Sequence, residues 1–116
     1  ECQEDAPLNR GVAPTNNSIA SLDSAGFVGR HSSITIGADG LGLISYYDDT
    51  NGDLKVAHCS NVQCSDAAIS TLDSVVDVGW HTSIATGADG LGLISYYDLT
   101  NDDLKVAHCN DVLCSS

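Results

Sequence analysis

GRHSSITIGADGLGLISYYDDTNGDLKVAHCSNVQC, residues 29–64, returns 50 residues later as GWHTSIATGADGLGLISYYDLTNDDLKVAHCNDVLC, residues 79–114, with 27 of the 36 positions identical. Repetition at such a period marks stacked or radial supersecondary units, none of which buries its own apolar face alone. The likeness runs further back. SIASLDSAGFVG at 18–29 aligns at the same spacing with AISTLDSVVDVG at 68–79, placing Ile19 on Ile69, Leu22 on Leu72, Asp23 on Asp73 and Ser24 on Ser74. The rest of the chain completes, joins or staples these copies.

Each copy divides into short strands. Strand one is expected at 33–36 and 83–86, and ends at Ala38-Asp39-Gly40 or Ala88-Asp89-Gly90. Asp-Gly between apolar runs signals a tight turn, because glycine accepts positive φ. Strand two, 41–47 and 91–97, sets Leu41, Leu43, Ser45 and Tyr47 on one face and Gly42, Ile44 and Tyr46 on the other. Both faces are largely apolar, which predicts a sheet covered on both sides. An Asp-rich turn leads to strand three at 54–59 and 104–109, followed by a cysteine loop. Strand four is expected at 68–72, and its counterpart lies in front of the first repeat, at Ser18, Ile19, Ala20, Ser21 and Leu22. No segment has helical periodicity. The fold class is therefore all-β: two four-stranded antiparallel units of about 50 residues, of the kind that form β-propeller blades.

A chain of 116 residues is one domain by length. Four basic residues, Arg10, Arg30, Lys55 and Lys105, face sixteen acidic ones, for a net charge of −12. Such a chain repels phosphate backbones and anionic lipid, which argues against nucleic acid or membrane surfaces as partners. Of the five cysteines, Cys59, Cys64, Cys109 and Cys114 form one C-x4-C pair per repeat, the spacing of a local disulfide in each. That usage, together with an opening at Glu1-Cys2 that reads as a processed terminus, predicts a secreted, extracellular protein. Residues 1–16 carry Pro7, Gly11 and Pro14 without apolar periodicity and read as an extended arm. Asn16-Asn17-Ser18 is a formal N-glycosylation sequon at Asn16. The two-repeat β domain then spans 17–116, with a leading strand at 17–28, repeat one at 29–78 and repeat two at 79–116.

The lead-ins Gly29-Arg30-His31 and Gly79-Trp80-His81, the strand and Asp-Gly turn after them, LISYYD and LKVAH together resemble the WD40-type propeller blade. The histidine is offset by one residue, and a cysteine loop stands where the Trp-Asp ending would be. The pattern is closer to secreted bacterial and environmental proteins carrying tandem GLxISYYD…DLKVAHC repeats. This resemblance covers nearly all of 17–116. It implies a propeller-like blade and secretion, and no particular activity. It also implies that His31 and His81 hydrogen-bond within or between blades.

Other residues are candidates for chemistry. Asp48, Asn51 and Asp53, repeated as Asp98, Asn101 and Asp103, form an oxygen-rich D-x-x-N-x-D turn of a kind that can hold Ca2+. The same residue types cap tight turns, and Asp49 becoming Leu99 and Gly52 becoming Asp102 favours the turn reading. No other cofactor is indicated. His58-Cys59 with Cys64 offers zinc-type ligands, but neighbours on a strand point to opposite faces. No nucleophile–base arrangement recurs at matching positions, and the arginines needed by a sialidase-like propeller are missing, so no enzyme is expected. Tyr46, Tyr47, Tyr96, Tyr97 and Trp80 suit either packing or, as an alternative function, glycan binding by a propeller-type lectin. Trp80 stands where the first repeat has Arg30, and we place it at a subunit junction.

The strand order decides the expected function. Counted in sequence, the strands run four, one-two-three-four, one-two-three, with a spare strand in front and none to complete the second blade. Two blades do not close a propeller, which takes about four or more. The expectation is that the spare strand completes the second blade of a neighbouring copy by strand addition; the alternative is that these 116 residues are a fragment of a longer repeat array, whose open edge is then artificial. Repeated head to tail, this gives a ring or a filament of a secreted, non-enzymatic structural protein that partners itself. Cys2, left over on the arm, is the candidate for an intermolecular disulfide, with a free terminal thiol as the alternative.

Overall fold

The computed structural model describes residues 17–115 and is all-β. Strands β1 (Val28–Ile36), β2 (Gly42–Asp48), β3 (Asp53–Cys59) and β4 (Ala67–Asp73) form one antiparallel sheet in sequential order. Strands β5 (Val78–Thr86), β6 (Gly92–Asp98) and β7 (Asp103–His108) form a second sheet in the same order. Pairings recur at a spacing of 50: Tyr47 lies opposite Leu54 and Tyr97 opposite Leu104, while Leu43 lies opposite His58 and Leu93 opposite His108.

The inner strands are longer than their alternation suggests. β1 starts at Val28, not at residue 33, because its register against β2 slips twice between Val28 and Ser33. Gly29 (φ 100°) and His31 (φ 56°) both take the left-handed backbone region there, as do Gly79 and His81 in β5. A bulge inserts residues out of phase with the pleat, so the period-2 signal is readable only beyond it.

The two sheets stack unlike face to unlike face. Leu43, Leu54 and Val56 of the first sheet meet Val78, Ile84, Ile94 and Tyr96 of the second in one core. Contact is closest along β1 and β5 and thins outward through β2 and β3. Hydroxyl groups bridge the inner strands. Thr82 Oγ1 donates to the His31 carbonyl (2.7 Å) and is 2.8 Å from Ser45 Oγ, and the Ile84 N–H donates to Ser33 Oγ (3.2 Å). Thr86 Oγ1 donates to the Ile36 carbonyl (2.5 Å) and lies 3.1 Å from Thr35 Oγ1.

The neighbouring sheet covers only one face of each sheet, because two sheets share a single interface; β2 is shielded on both faces as expected, with Tyr46 and Ala57 buried on the far side, whereas in the second sheet Leu93 stands exposed. Identical residues therefore differ in burial. Leu54 and Val56 are 0 % exposed, whereas their equivalents Leu104 and Val106 are 80 % and 61 % exposed. On the opposite faces the order reverses, with Ile84 at 7 % and Ile34 at 62 %. The interface also fixes a glycine. A Cβ on Gly79, at φ 108°, would lie 3.0 Å from Leu54 Cα, while one on Gly29 meets nothing within 4 Å. Gly79→Ala is expected to cost about 2–4 kcal/mol, left-handed strain plus a backbone clash, and Gly29→Ala about 1–2 kcal/mol from strain alone. Urea unfolding of the two variants checks this, and equal losses would contradict the stacking.

Candidate functional site

The features that set this molecule apart lie at its two ends. Residues 17–22, which carry the sequence expected to be a strand, run without a ladder partner among the described residues, and Ile19 is 94 % exposed. At the other end β7 pairs with β6 on one side only, so among the described residues its outer edge is bare. In the first sheet the matching edge of β3 carries β4, with Ala57 opposite Ile69 and Val56 opposite Ser70.

The unpaired segment is nonetheless fixed where it joins the first sheet. The Tyr46 hydroxyl donates to Asp23 Oδ2 (2.6 Å), and Lys55 Nζ lies 3.0 Å from the same oxygen. The Phe27 N–H donates to Thr50 Oγ1, and the Phe27 carbonyl accepts from Asp49 N–H. Each contact recurs between the end of β4 and the second sheet. Tyr96 donates to Asp73 Oδ2 (2.7 Å), Lys105 Nζ reaches it at 2.7 Å, Asp77 N–H donates to Thr100 Oγ1, and Leu99 N–H donates to the Asp77 carbonyl. The segment at 17–23 thus approaches the first sheet as β4 approaches the second.

These contacts set the ionisation of the Asp pair. Burial works to raise the Asp23 carboxyl, but hydrogen bonds from Tyr46, the Ala25 N–H and Lys55 outweigh it and hold the group below its usual value. Asp73 is likewise lowered: burial opposes, and Lys105, Tyr96 and the Val75 N–H prevail. Burial, and then the facing carboxylates, push the Tyr46 and Tyr96 hydroxyls far up, so both stay protonated donors. A carboxyl held low in the folded state adds stability above its unfolded pKa of about 4, and that stability is lost as pH falls through the lower folded value. Thermal midpoints should accordingly fall below about pH 4. Asp73→Asn should lower the midpoint at pH 7 and shrink that acid limb. An unchanged acid limb would mean the Asp73 contacts contribute nothing.

Where the sheets meet on the inner strands, an aromatic group forms. His31 stands 4.4 Å from His81 and 5.2 Å from Trp80, ring centre to ring centre, and Trp80 is 5.6 Å from Tyr47. Trp80 thus lies at the junction between repeats within one chain. Its Nε1 is buried and makes no well-aligned hydrogen bond among the described residues, though it is near enough to Tyr47 to work against the burial that raises that hydroxyl. The two histidines meet ring to ring, without the hydrogen bonds anticipated for them among the described residues. Burial lowers the His31 pKa, and His81 and Arg30 add to the effect.

Other candidate residues have structural partners. Asn51 donates to both carboxylate oxygens of Asp48, from its N–H (3.1 Å) and its Nδ2 (2.9 Å), and Asn101 does the same to Asp98. Asp53 faces Asp48 across β2 and β3, and Asp103 faces Asp98. Among the described residues no group of three or more His, Cys, Asp or Glu side chains is arranged to hold a metal ion. Cys59 is bonded to Cys64 and Cys109 to Cys114. His58 Nε2 meets Asp39 Oδ2 at 2.7 Å and His108 meets Asp89 at 2.6 Å, each tying the Asp-Gly turn to the third strand. Sequence reasoning aligned Asp23 with Asp73 but gave them no role. The signal available was the joint retention of Asp, Tyr and Lys at a spacing of 50. Cys2, Asn16 and the arm at 1–16 lie outside the described residues.

Comparison with family models, curated proteins and solved structures returned no match for the chain.

Proposed function

We propose that this is a secreted, non-enzymatic structural protein whose copies join head to tail by exchanging the strand at 17–23, giving a filament or a ring. The observation that carries this reading is the paired mismatch at the ends. Residues 17–23 join the first sheet through the same contacts that β4 makes with the second, yet among the described residues they pair with no strand and β7 has a bare edge. Shifting the β3–β4 register by 50 sets Lys105 opposite Ser21 of the next copy, Val106 opposite Ala20 and Ala107 opposite Ile19. Each pairing would satisfy backbone groups that otherwise invite uncontrolled association.

The sheets themselves are read as propeller-blade-like units. Sequential four-strand order and close inner strands that diverge outward support that reading. The two disulfides are compatible with an extracellular setting. Lectin activity is the weaker reading, since the Tyr46, Tyr47 and Tyr96 hydroxyls are engaged with Asp23, Asp77 and Asp73 rather than turned toward a ligand.

Removing residues 1–22 tests strand exchange while keeping Asp23. Light scattering and negative-stain electron microscopy should show polymers or rings for the full chain and monomers for the truncated one. Normal assembly of the truncated chain would refute the exchange.

A further inference from the structure

We propose that the bare face of the second sheet, around Leu93, Tyr97, Leu104 and Val106, docks a second copy of this chain through the open face of that copy's first sheet, around Phe27, Ile34 and Ile36. The inference rests on the head-to-tail reading above and adds to the exchanged strand a second, face-to-face contact. Its ground is continuity with the interface inside the chain. Advanced by 50 residues, the covered face of the first sheet becomes the bare face of the second. Moved back by 50, the covered face of the second sheet becomes the open face of the first.

Clefts mark both open faces. One of about 250 Å³ is lined by Val28, Ser32, Ile44, Tyr46 and Ala57. The equivalents of those residues, Val78, Thr82, Ile94, Tyr96 and Ala107, surround or form the internal core. The other cleft, about 220 Å³, includes Leu93, Ser95 and Val106. Its equivalents Leu43, Ser45 and Val56 are buried against the second sheet. Each cleft is half of an interface that the chain builds once, whole, in its middle.

The residues that make the internal contact without apolar bulk are retained at the ends. Ser45 and Thr82 become Ser95 and Ser32 of the next copy, keeping both hydroxyls. Ser33, which accepts from the Ile84 N–H, becomes Ser83 facing Ile34. Gly79, packed on Leu54, becomes Gly29, where an added Cβ would meet none of the described residues within 4 Å, and which would face Leu104 of the neighbour.

Two of the differences between the junctions come in matched pairs, while Trp80, which packs against His31 and Tyr47 inside the chain, is Arg30 between copies. Inside the chain Thr35 and Thr86 bond hydroxyl to hydroxyl; between copies the same positions are Ala85 and Ile36, an apolar pair. Inside the chain Tyr47 donates to Asp77, and Gly52 leaves room for that carboxylate, since a Cβ there would lie 3.2 Å from Asp77 Oδ1. Between copies Asp77 is replaced by Phe27 and Gly52 by Asp102, and Asp102 itself accepts the Tyr97 hydroxyl. The tyrosine keeps an acidic partner, and the exposed Phe27 ring gains a neighbour. Compensated exchanges at two separate places are what a second working interface requires.

Cross-linking tests the contact directly. Ser32→Cys and Ser95→Cys are made in separate chains, each with Cys2→Ser, and oxidised alone or mixed. The internal equivalents lie with hydroxyls 2.8 Å apart, within reach of a disulfide. Covalent dimers should form in the mixture and not in either variant alone, and Leu104→Glu should weaken association roughly tenfold or more by burying a charge in the contact. Assemblies visible by electron microscopy with no mixed cross-link would overturn this contact and leave strand exchange standing. Mixed cross-links that persist in chains lacking residues 1–22, with assembly intact, would remove strand exchange and leave this contact standing. Cross-linking of either variant with itself, as readily as in the mixture, would also overturn the proposal, because it would mean like faces meet.

Discussion

Leu54→Ala is expected to cost about 2–5 kcal/mol in a dilute, monomeric sample, and Leu104→Ala within about 0.5 kcal/mol, although the two residues occupy equivalent positions of nearly identical repeats. Leu54 is wholly enclosed in the core shared by the two sheets, with Gly79 packed on its backbone. Truncating it removes transfer free energy and leaves a cavity that a close-packed sheet interface cannot refill. Leu104 has given up little water in the single chain, so alanine there has little to lose. Urea denaturation of both variants at low protein concentration reads the difference. Comparable losses would mean that the second sheet does not leave this face open.

Reducing both disulfides is the second large effect. Each bridge joins cysteines five residues apart, and so short a loop gains about 2 kcal/mol from closure entropy. Losing both removes about 4 kcal/mol, a large part of the 5–15 kcal/mol typical of a domain. The sulfurs also pack: Cys59 Sγ lies 2.8 Å from where a Cβ on Gly42 would be, and Cys109 Sγ lies the same distance from one on Gly92. Cys109 and Cys114 are both fully enclosed, whereas Cys64 is half-buried. Under mild reductant the Cys59–Cys64 bridge should open first. Denaturation midpoints with and without reductant, and mass mapping of the first thiols to appear, check both statements. An unchanged midpoint would show that the bridges do not constrain the unfolded chain.

Much of the fold was legible because it rests on alternation and turns. Strands expected at 41–47, 54–59 and 68–72 are found at Gly42–Asp48, Asp53–Cys59 and Ala67–Asp73, bounded by the Asp39-Gly40 turn and the cysteine loop. The start of β1 was not legible, since no residue type announces that His31 will take a positive φ. The choice of covered face was hidden for a different reason. Leu54 and Leu104 sit in the same local sequence, and only the neighbouring sheet distinguishes them. The contacts of Asp23 and Asp73 were hidden by distance, because each carboxylate finds its tyrosine 23 residues further along the chain.

The two outer faces are unlike, and that has a consequence for growth. In the proposed head-to-tail filament, a copy spoiled at one face would still attach by the other. Leu104→Glu copies mixed in small amounts with normal ones would take their place at one tip and then refuse the next arrival. They would act as chain stoppers, and mean length would follow the ratio of normal to altered copies rather than the strength of any single contact. A filament built this way would have a direction: its two tips would present different chemistry to whatever they meet, and each could be blocked without touching the other.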